Sequence, residues 1–218
     1  MDEKISTSVP SIDTLLEGGI EKGIVTEVYG VAGSGKTNFM LQLAAQVLKK
    51  GERIVIIDTE GLSYTRMRQI FGENYQEYLR QIRINRPLSF EEQLKSVGNL
   101  KKLKDYSFVA VDSINMYMRM EYSTNESGTK EAFVRMLIAL QTLSRERNIP
   151  VLITSQVYSS GEEEVLPFSG KSMEHIVKCI LLLKKTGRIG ERELVIKKHR
   201  SIQSEKKCKF LITEKGLQ

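Results

Sequence analysis

Gly30-Val31-Ala32-Gly33-Ser34-Gly35-Lys36-Thr37 decides how the rest of this chain is read. It matches G-x-x-x-x-G-K-[ST], a pattern with a mechanical meaning. Glycines let backbone wrap close to phosphate oxygens. Successive N–H groups and a helix N-terminus then turn their positive ends toward the anion. Lys36 brings a full charge to the β- and γ-phosphates, and Thr37 offers a hydroxyl to magnesium. Composition alone produces the pattern in roughly one chain of this length in a hundred. The rival reading is a simple glycine turn, and the flanks argue against it. Before the loop, Ile24–Tyr29 alternates and is β-branched, which predicts a strand. After it, apolar residues at 39, 40, 43, 44, 47 and 48 form a helical stripe, and Gly51 sits where a helix end wants positive φ. Gly30, Ala32, Gly33, Ser34, Gly35, Lys36, Thr37 and Asn38 are therefore the candidate nucleotide-binding residues, with ATP and Mg2+ as the expected ligands.

The rest of the chain repeats that strand–helix alternation. Arg53–Asp58, Ser107–Asp112 and Ile149–Ser155 are apolar on both faces, as buried parallel strands are. The Arg53–Asp58 strand is expected to neighbour the phosphate-loop strand. Ser89-Phe90-Glu91-Glu92 predicts a capping box opening a helix to about Lys104, and Glu131–Asn148 a long amphipathic helix. The fold class is α/β: a mostly parallel twisted sheet with helices on both faces. After residue 170 three strands with short turns, at 176–184, 193–199 and 207–213, predict an antiparallel hairpin extension at one edge. Residues 122–130 and 158–172 read as loops.

Composition excludes several classes. The 218 residues are 40% hydrophobic and 28% charged, as in a globular domain. No apolar run reaches the roughly 18 residues that cross a bilayer, and the polar start lacks a signal-peptide core. The expectation is a cytoplasmic protein with no membrane partner. Cys179 and Cys208 are too few for a disulfide framework, and Cys179 reads as a buried thiol. His175 and His199 have no spaced ligand partners, so zinc is not expected. The net charge of +6 is uneven: residues 171–218 carry 13 Lys/Arg and 5 Asp/Glu. That basic end fits a polyanion, most plausibly nucleic acid, or else lysine-rich edge strands that discourage aggregation.

Four further positions carry chemistry. Asp112, ending an apolar strand, is where the second magnesium-side acid belongs, beside Thr37. Glu60, just past the Arg53–Asp58 strand, is either a base for the attacking water or an ordinary turn carboxylate. Gln156, at the next strand end, is placed to sense a γ-phosphate. Lys198-His199-Arg200 is either surface charge or an arginine finger, often supplied by a neighbouring subunit.

Together these pieces resemble the RecA/RadA recombinase superfamily over nearly the whole chain. Ile5–Ser8 and Ser11–Ile20 look like the segment before the phosphate loop in archaeal RadA. Asp58-Thr59-Glu60-Gly61 looks like the catalytic-glutamate turn, Arg119–Tyr122 like the start of the first DNA-binding loop, and Ile212–Gly216 like the closing strand. The resemblance implies a RecA-type core and the roles already given for Glu60, Lys36 and Gln156. It also implies a DNA contact through Arg119, Lys130 and Lys171, adenine stacking by Arg66, and a K-x-R finger in Lys198 and Arg200 acting in trans. It departs from RadA in starting its core near residue 5, without a helix-hairpin-helix domain or a subunit-docking phenylalanine, so one core is expected over 1–218. The turn after Glu60 and the stretch 157–170 are also shorter. The implied function is an accessory protein of recombination and repair. It would bind ATP and DNA, single-stranded by preference, hydrolyse weakly, exchange strands little, and regulate a recombinase, junction nuclease or polymerase, as a homo-oligomer or alone. A nucleotide-switched binding module, or a KaiC-like signalling ATPase without a DNA role, are the alternatives.

Overall fold

The structure is a computed structural model, and it describes residues 4–123, 126–157 and 175–218. The strands are β1 (Lys4–Ile5), β2 (Ile20–Glu21), β3 (Val25–Gly30), β4 (Ile54–Asp58), β5 (Ile82–Asn85), β6 (Phe108–Asp112), β7 (Val151–Gln156), β8 (Cys179–Lys185), β9 (Glu191–Lys198), β10 (Lys207–Thr213) and β11 (Gly216–Leu217). The helices are α1 (Pro10–Leu15), α2 (Lys36–Leu48), α3 (Tyr64–Phe71), α4 (Tyr75–Gln81), α5 (Phe90–Asn99), α6 (Met116–Tyr122) and α7 (Glu126–Arg147). Among the described residues the main sheet runs β11-β10-β9-β8-β3-β7-β6-β4-β5, and β1 pairs with β2 apart from it. From β8 to β5 all pairs are parallel; from β8 outward to β11 they are antiparallel. This is the α/β architecture with its hairpin extension that the sequence predicts.

Strict alternation explains why the parallel strands are apolar throughout. Val28, Ile54, Ile56, Phe108, Ala110, Leu152, Cys179 and Leu181 face one layer with α1 to α4. Val25, Tyr29, Val55, Ile57, Val109, Val111, Val151, Ile153 and Ile180 face the other with α5 to α7. Both faces of each strand thus remove apolar area from water, at roughly 1.5–3 kcal/mol per large side chain. Cys179 is buried as expected, and burial pushes its thiol up to about 12.

Several expectations are corrected. β4 does not neighbour β3: β7 and β6 lie between them. Each strand is apolar enough to be interior, so sequence pattern identifies the strands without ordering them. Most of the expected loop 122–130 is helical where it is described, because α6 runs to Tyr122 and α7 begins at Glu126, not 131. The apolar stripe Phe133, Met136, Leu137, Leu140 extends one turn back through buried Thr129, and acidic Glu126 suits a helix N-terminus. The segment 212–216 is a strand end, a turn and a strand start rather than one strand. The expected loop 158–172, with Lys171, falls outside the described residues. Ser89 caps α5 by accepting from Glu92 N at 3.2 Å, while the Glu92 carboxylate reaches Leu88 N at 2.8 Å, one residue beyond a standard capping box.

Candidate functional site

The phosphate loop joins β3 to α2 at the C-terminal pole of the parallel strands. Gly33 has φ +70 and Gly35, the residue before α2, φ +108. Side chains are nearly excluded on other grounds too: a Cβ at Gly35 would lie 2.4 Å from Ile212 Cδ1, and one at Gly30 2.4 Å from Leu183 O. Gly35→Ala is expected to cost about 1–3 kcal/mol in stability and to weaken ATP binding; melting curves with and without ATP check both. The C-terminal hairpins back the loop from outside. Arg192, on β9, donates through Nε to Ser34 O at 3.1 Å and through Nη2 to Gly33 O at 3.2 Å.

Lys36 donates to Gly30 O at 2.9 Å and Val31 O at 3.2 Å, folded over its own loop. Burial lowers its pKa, Glu60 and Asp112 raise it, and Lys185 lowers it. Thr37 Oγ1 donates to Asp112 Oδ2 at 2.7 Å, and Thr154 donates to Oδ1. Burial raises the pKa of Asp112, Thr154 and Thr37 pull it down, Glu60 raises it, and Lys36 lowers it. A hydroxyl and a carboxylate at one point are hard oxygen donors, which suits magnesium. A divalent cation there would hold the carboxylate ionised against its burial.

Glu60 stands on a turn organised by Asp58. That buried carboxylate accepts from Gly61 N and Leu62 N, both at 2.8 Å, and from Arg86 Nε at 3.1 Å. Arg86 also donates to Tyr64 OH at 2.9 Å. Thr59 N donates to Asp112 O at 2.8 Å, so the turn is fixed to the neighbouring strand. Although β4 is three strands from β3, its parallel direction delivers Glu60 to the same pole. There Gln156 Nε2 donates to Glu60 Oε1 at 2.8 Å. Gln156 is itself held by Asn115, which donates Nδ2 to Gln156 O at 2.9 Å and accepts from Gln156 N at 3.2 Å. Arg119 Nη1 of α6 reaches Gln156 Oε1 at 3.5 Å. A line of contacts thus runs from Glu60 through Gln156 to Arg119.

The other candidates are placed less centrally. Lys130 is exposed on α7. Arg66 donates to Asn38 Oδ1 at 2.5 Å, Gln69 Oε1 at 2.9 Å, and Thr213 O and Glu214 O at 2.8 Å. The edge of its guanidinium is spent on protein, leaving only its planes for a base. Lys198 pairs with Ile180 at the opposite end of β8 from the loop, and donates to Val177 O at 2.9 Å. Arg200 Nε lies 2.6 Å from buried Glu21. Neither can reach the phosphate loop of its own chain. Asp58, Arg86, Asn115 and Arg192 escape a reading of the sequence. The polar turn Asp58–Gly61 is a signal for the first, since Asp in such turns accepts from backbone N–H groups; Arg192 lies 158 residues from the loop it grips, and nothing local marks it.

Known proteins bear on the same pieces. The profile of the Rad51 family matches residues 3–218. "DNA repair and recombination protein RadB" of Methanococcoides burtonii is 43% identical over 220 residues, covering 99% of this chain and 97% of that one. The RadB protein of Thermococcus kodakarensis is 35% identical over 221 residues, covering 98% of each. A crystal structure of the RadB recombinase superposes with a TM-score of 0.86 at 34% identity, covering 98% of each chain.

Proposed function

This chain belongs to the Rad51 family, and on that premise we propose that it is an ATP- and DNA-binding accessory protein of recombination and repair, built as one RecA-type core. The line Glu60–Gln156–Arg119 carries the reading, because it joins a candidate catalytic carboxylate to a cation on α6 through one amide. In this reading the loop N–H groups and Lys36 bind the triphosphate. Thr37 and Asp112 would hold magnesium, which would supply charge neutralisation at the phosphate oxygens. Glu60 Oε1 is engaged by Gln156, which leaves Oε2 to orient the attacking water and take its proton as the bond to the β-phosphate breaks. Gln156 can trade Glu60 for a γ-phosphate oxygen, and its other contact, Arg119, reports the change to DNA. Lys130 and Lys171 extend that DNA contact.

Hydrolysis is slow in an isolated subunit. Lys198 and Arg200 sit at the wrong pole to act within one chain, so a finger must come from a neighbour, a factor of roughly 10³–10⁵ elsewhere. Their engagement with Val177 and Glu21 favours, as a second reading, a nucleotide-switched module with little turnover. A signalling ATPase without a DNA role is disfavoured by the repair proteins this chain resembles.

The test is the ATPase rate with and without single-stranded DNA, alongside mass in solution with ATP. Wild type binds single strands with strong salt dependence, and DNA changes its rate. Arg119→Ala loses that response and binds DNA several-fold more weakly, while ATP affinity stays within about twofold. Undetectable DNA binding at low salt would remove the recombination reading.

A further inference from the structure

At the opposite pole from the phosphate loop, a pocket of about 220 Å³ opens between the N-terminal ends of β4 and β5 and the segment entering β6. Four cations from three stretches of chain line it: Arg53 before β4, Arg80 at the end of α4 with Arg83 in the adjoining β5, and Lys104 before β6. All four are exposed, and none forms an ion pair with another described residue. The one carboxylate in the lining is Asp105. Exposed Lys101 and Lys102 continue the positive surface beside it.

Like charges repel, so four cations gathered round one concavity hold a positive potential that an anion relieves. The ligand chemistry follows from the side chains. Three of the four are guanidinium groups, whose planar forks match phosphate oxygens two at a time. The pocket is open and set on the outermost parallel strand, so it admits a phosphate that is part of a chain. No residue of the ATP site lines it, because the parallel strands, about 16 Å long at five residues, separate the two poles.

We propose that Arg53, Arg80, Arg83 and Lys104 form a second nucleic-acid contact that grips the phosphodiester backbone, apart from the Arg119 surface. A strand held at both poles passes along the open edge of β5. The inference rests on the DNA-binding reading above, but uses none of its residues.

Salt dependence isolates it. Each phosphate neutralised on a single strand adds about 0.7 to the slope of log affinity against log salt. Arg53→Ala with Arg83→Ala therefore flattens the slope for a long single strand by about 1.4 and weakens binding roughly tenfold at low salt. Arg53→Lys with Arg83→Lys restores most of the slope, which a merely structural role would not predict. Arg68→Ala with Arg135→Ala removes the same charge from exposed positions elsewhere and leaves the slope close to wild type. A pocket variant matching wild type, or matching that charge control, overturns the second contact while the DNA-binding reading stands. Wild-type protein that binds no DNA overturns both.

Discussion

Lys36→Ala lowers ATP affinity by about a hundredfold or more. The reason is that one buried ammonium serves several phosphate oxygens, and alanine replaces none of that. Lys36 sits in the first turn of α2 with its ammonium inside the loop, where burial has already lowered its pKa. It needs only to exchange Gly30 O and Val31 O for phosphate oxygens. A hydrogen bond to a charged partner contributes about 1.5–3 kcal/mol, and two phosphates are within the reach of one ammonium. Every 1.4 kcal/mol is about tenfold in affinity, so losing about 3 kcal/mol sets the lower bound. The loop's N–H groups remain, and they hold a residual site. The readout is titration with a fluorescent ATP analogue, backed by melting: ATP at a hundred times the wild-type Kd adds about 2.7 kcal/mol of stability, a rise the variant loses. A variant that binds as tightly as wild type would mean the triphosphate sits elsewhere.

Glu60→Gln lowers the hydrolysis rate by about 10²–10³ and leaves ATP affinity nearly unchanged. General-base catalysis contributes about 10²–10⁴, and a slow single-subunit reaction belongs at the lower part of that range. The amide has the size of the carboxylate and keeps an oxygen to accept from Gln156 Nε2, so geometry survives and basicity does not. Glu60 is exposed, and its side chain bonds to Gln156 rather than to the loop, which is why binding is largely spared. Single-turnover hydrolysis with saturating ATP separates the two effects. An unchanged rate would make Glu60 a turn carboxylate and move support to the switch reading.

Sequence pattern is informative in some parts of this molecule and silent in others. The phosphate loop is legible because each residue type in it has one mechanical use, and β3, β6 and β7 because β-branched runs have few other homes. The order of those strands is not legible, since any buried strand can sit beside any other. Residues 122–130 mislead for a different reason. Ser, Thr, Asn and Gly are the composition of a turn, yet Thr129 is buried against the helical stripe below it, and tertiary packing wins over weak local preference. The edge strand β5, four residues with Arg83 among them, is too short and too polar to announce itself. Residue type and strand-end position single out Glu60 and Gln156 separately; their 2.8 Å contact spans 96 residues and could come only from the fold. Arg66 shows the reverse case, a residue given one partner by resemblance and four others by its surroundings.

The backing of the phosphate loop also has a temporal side. Gly33, Ser34 and Gly35 are made early in synthesis, whereas Arg192 and Ile212, which press against them, are made some 160 to 180 residues later. During translation the loop is therefore present long before its support, at a synthesis rate of about 5–20 residues per second. Nucleotide cannot favour a finished chain over a half-made one until the last hairpin closes onto β9. Occupancy by ATP would then mark completed copies, and an added tail that holds Ile212 away from Gly35 would be felt first as lost nucleotide rather than as a lost fold.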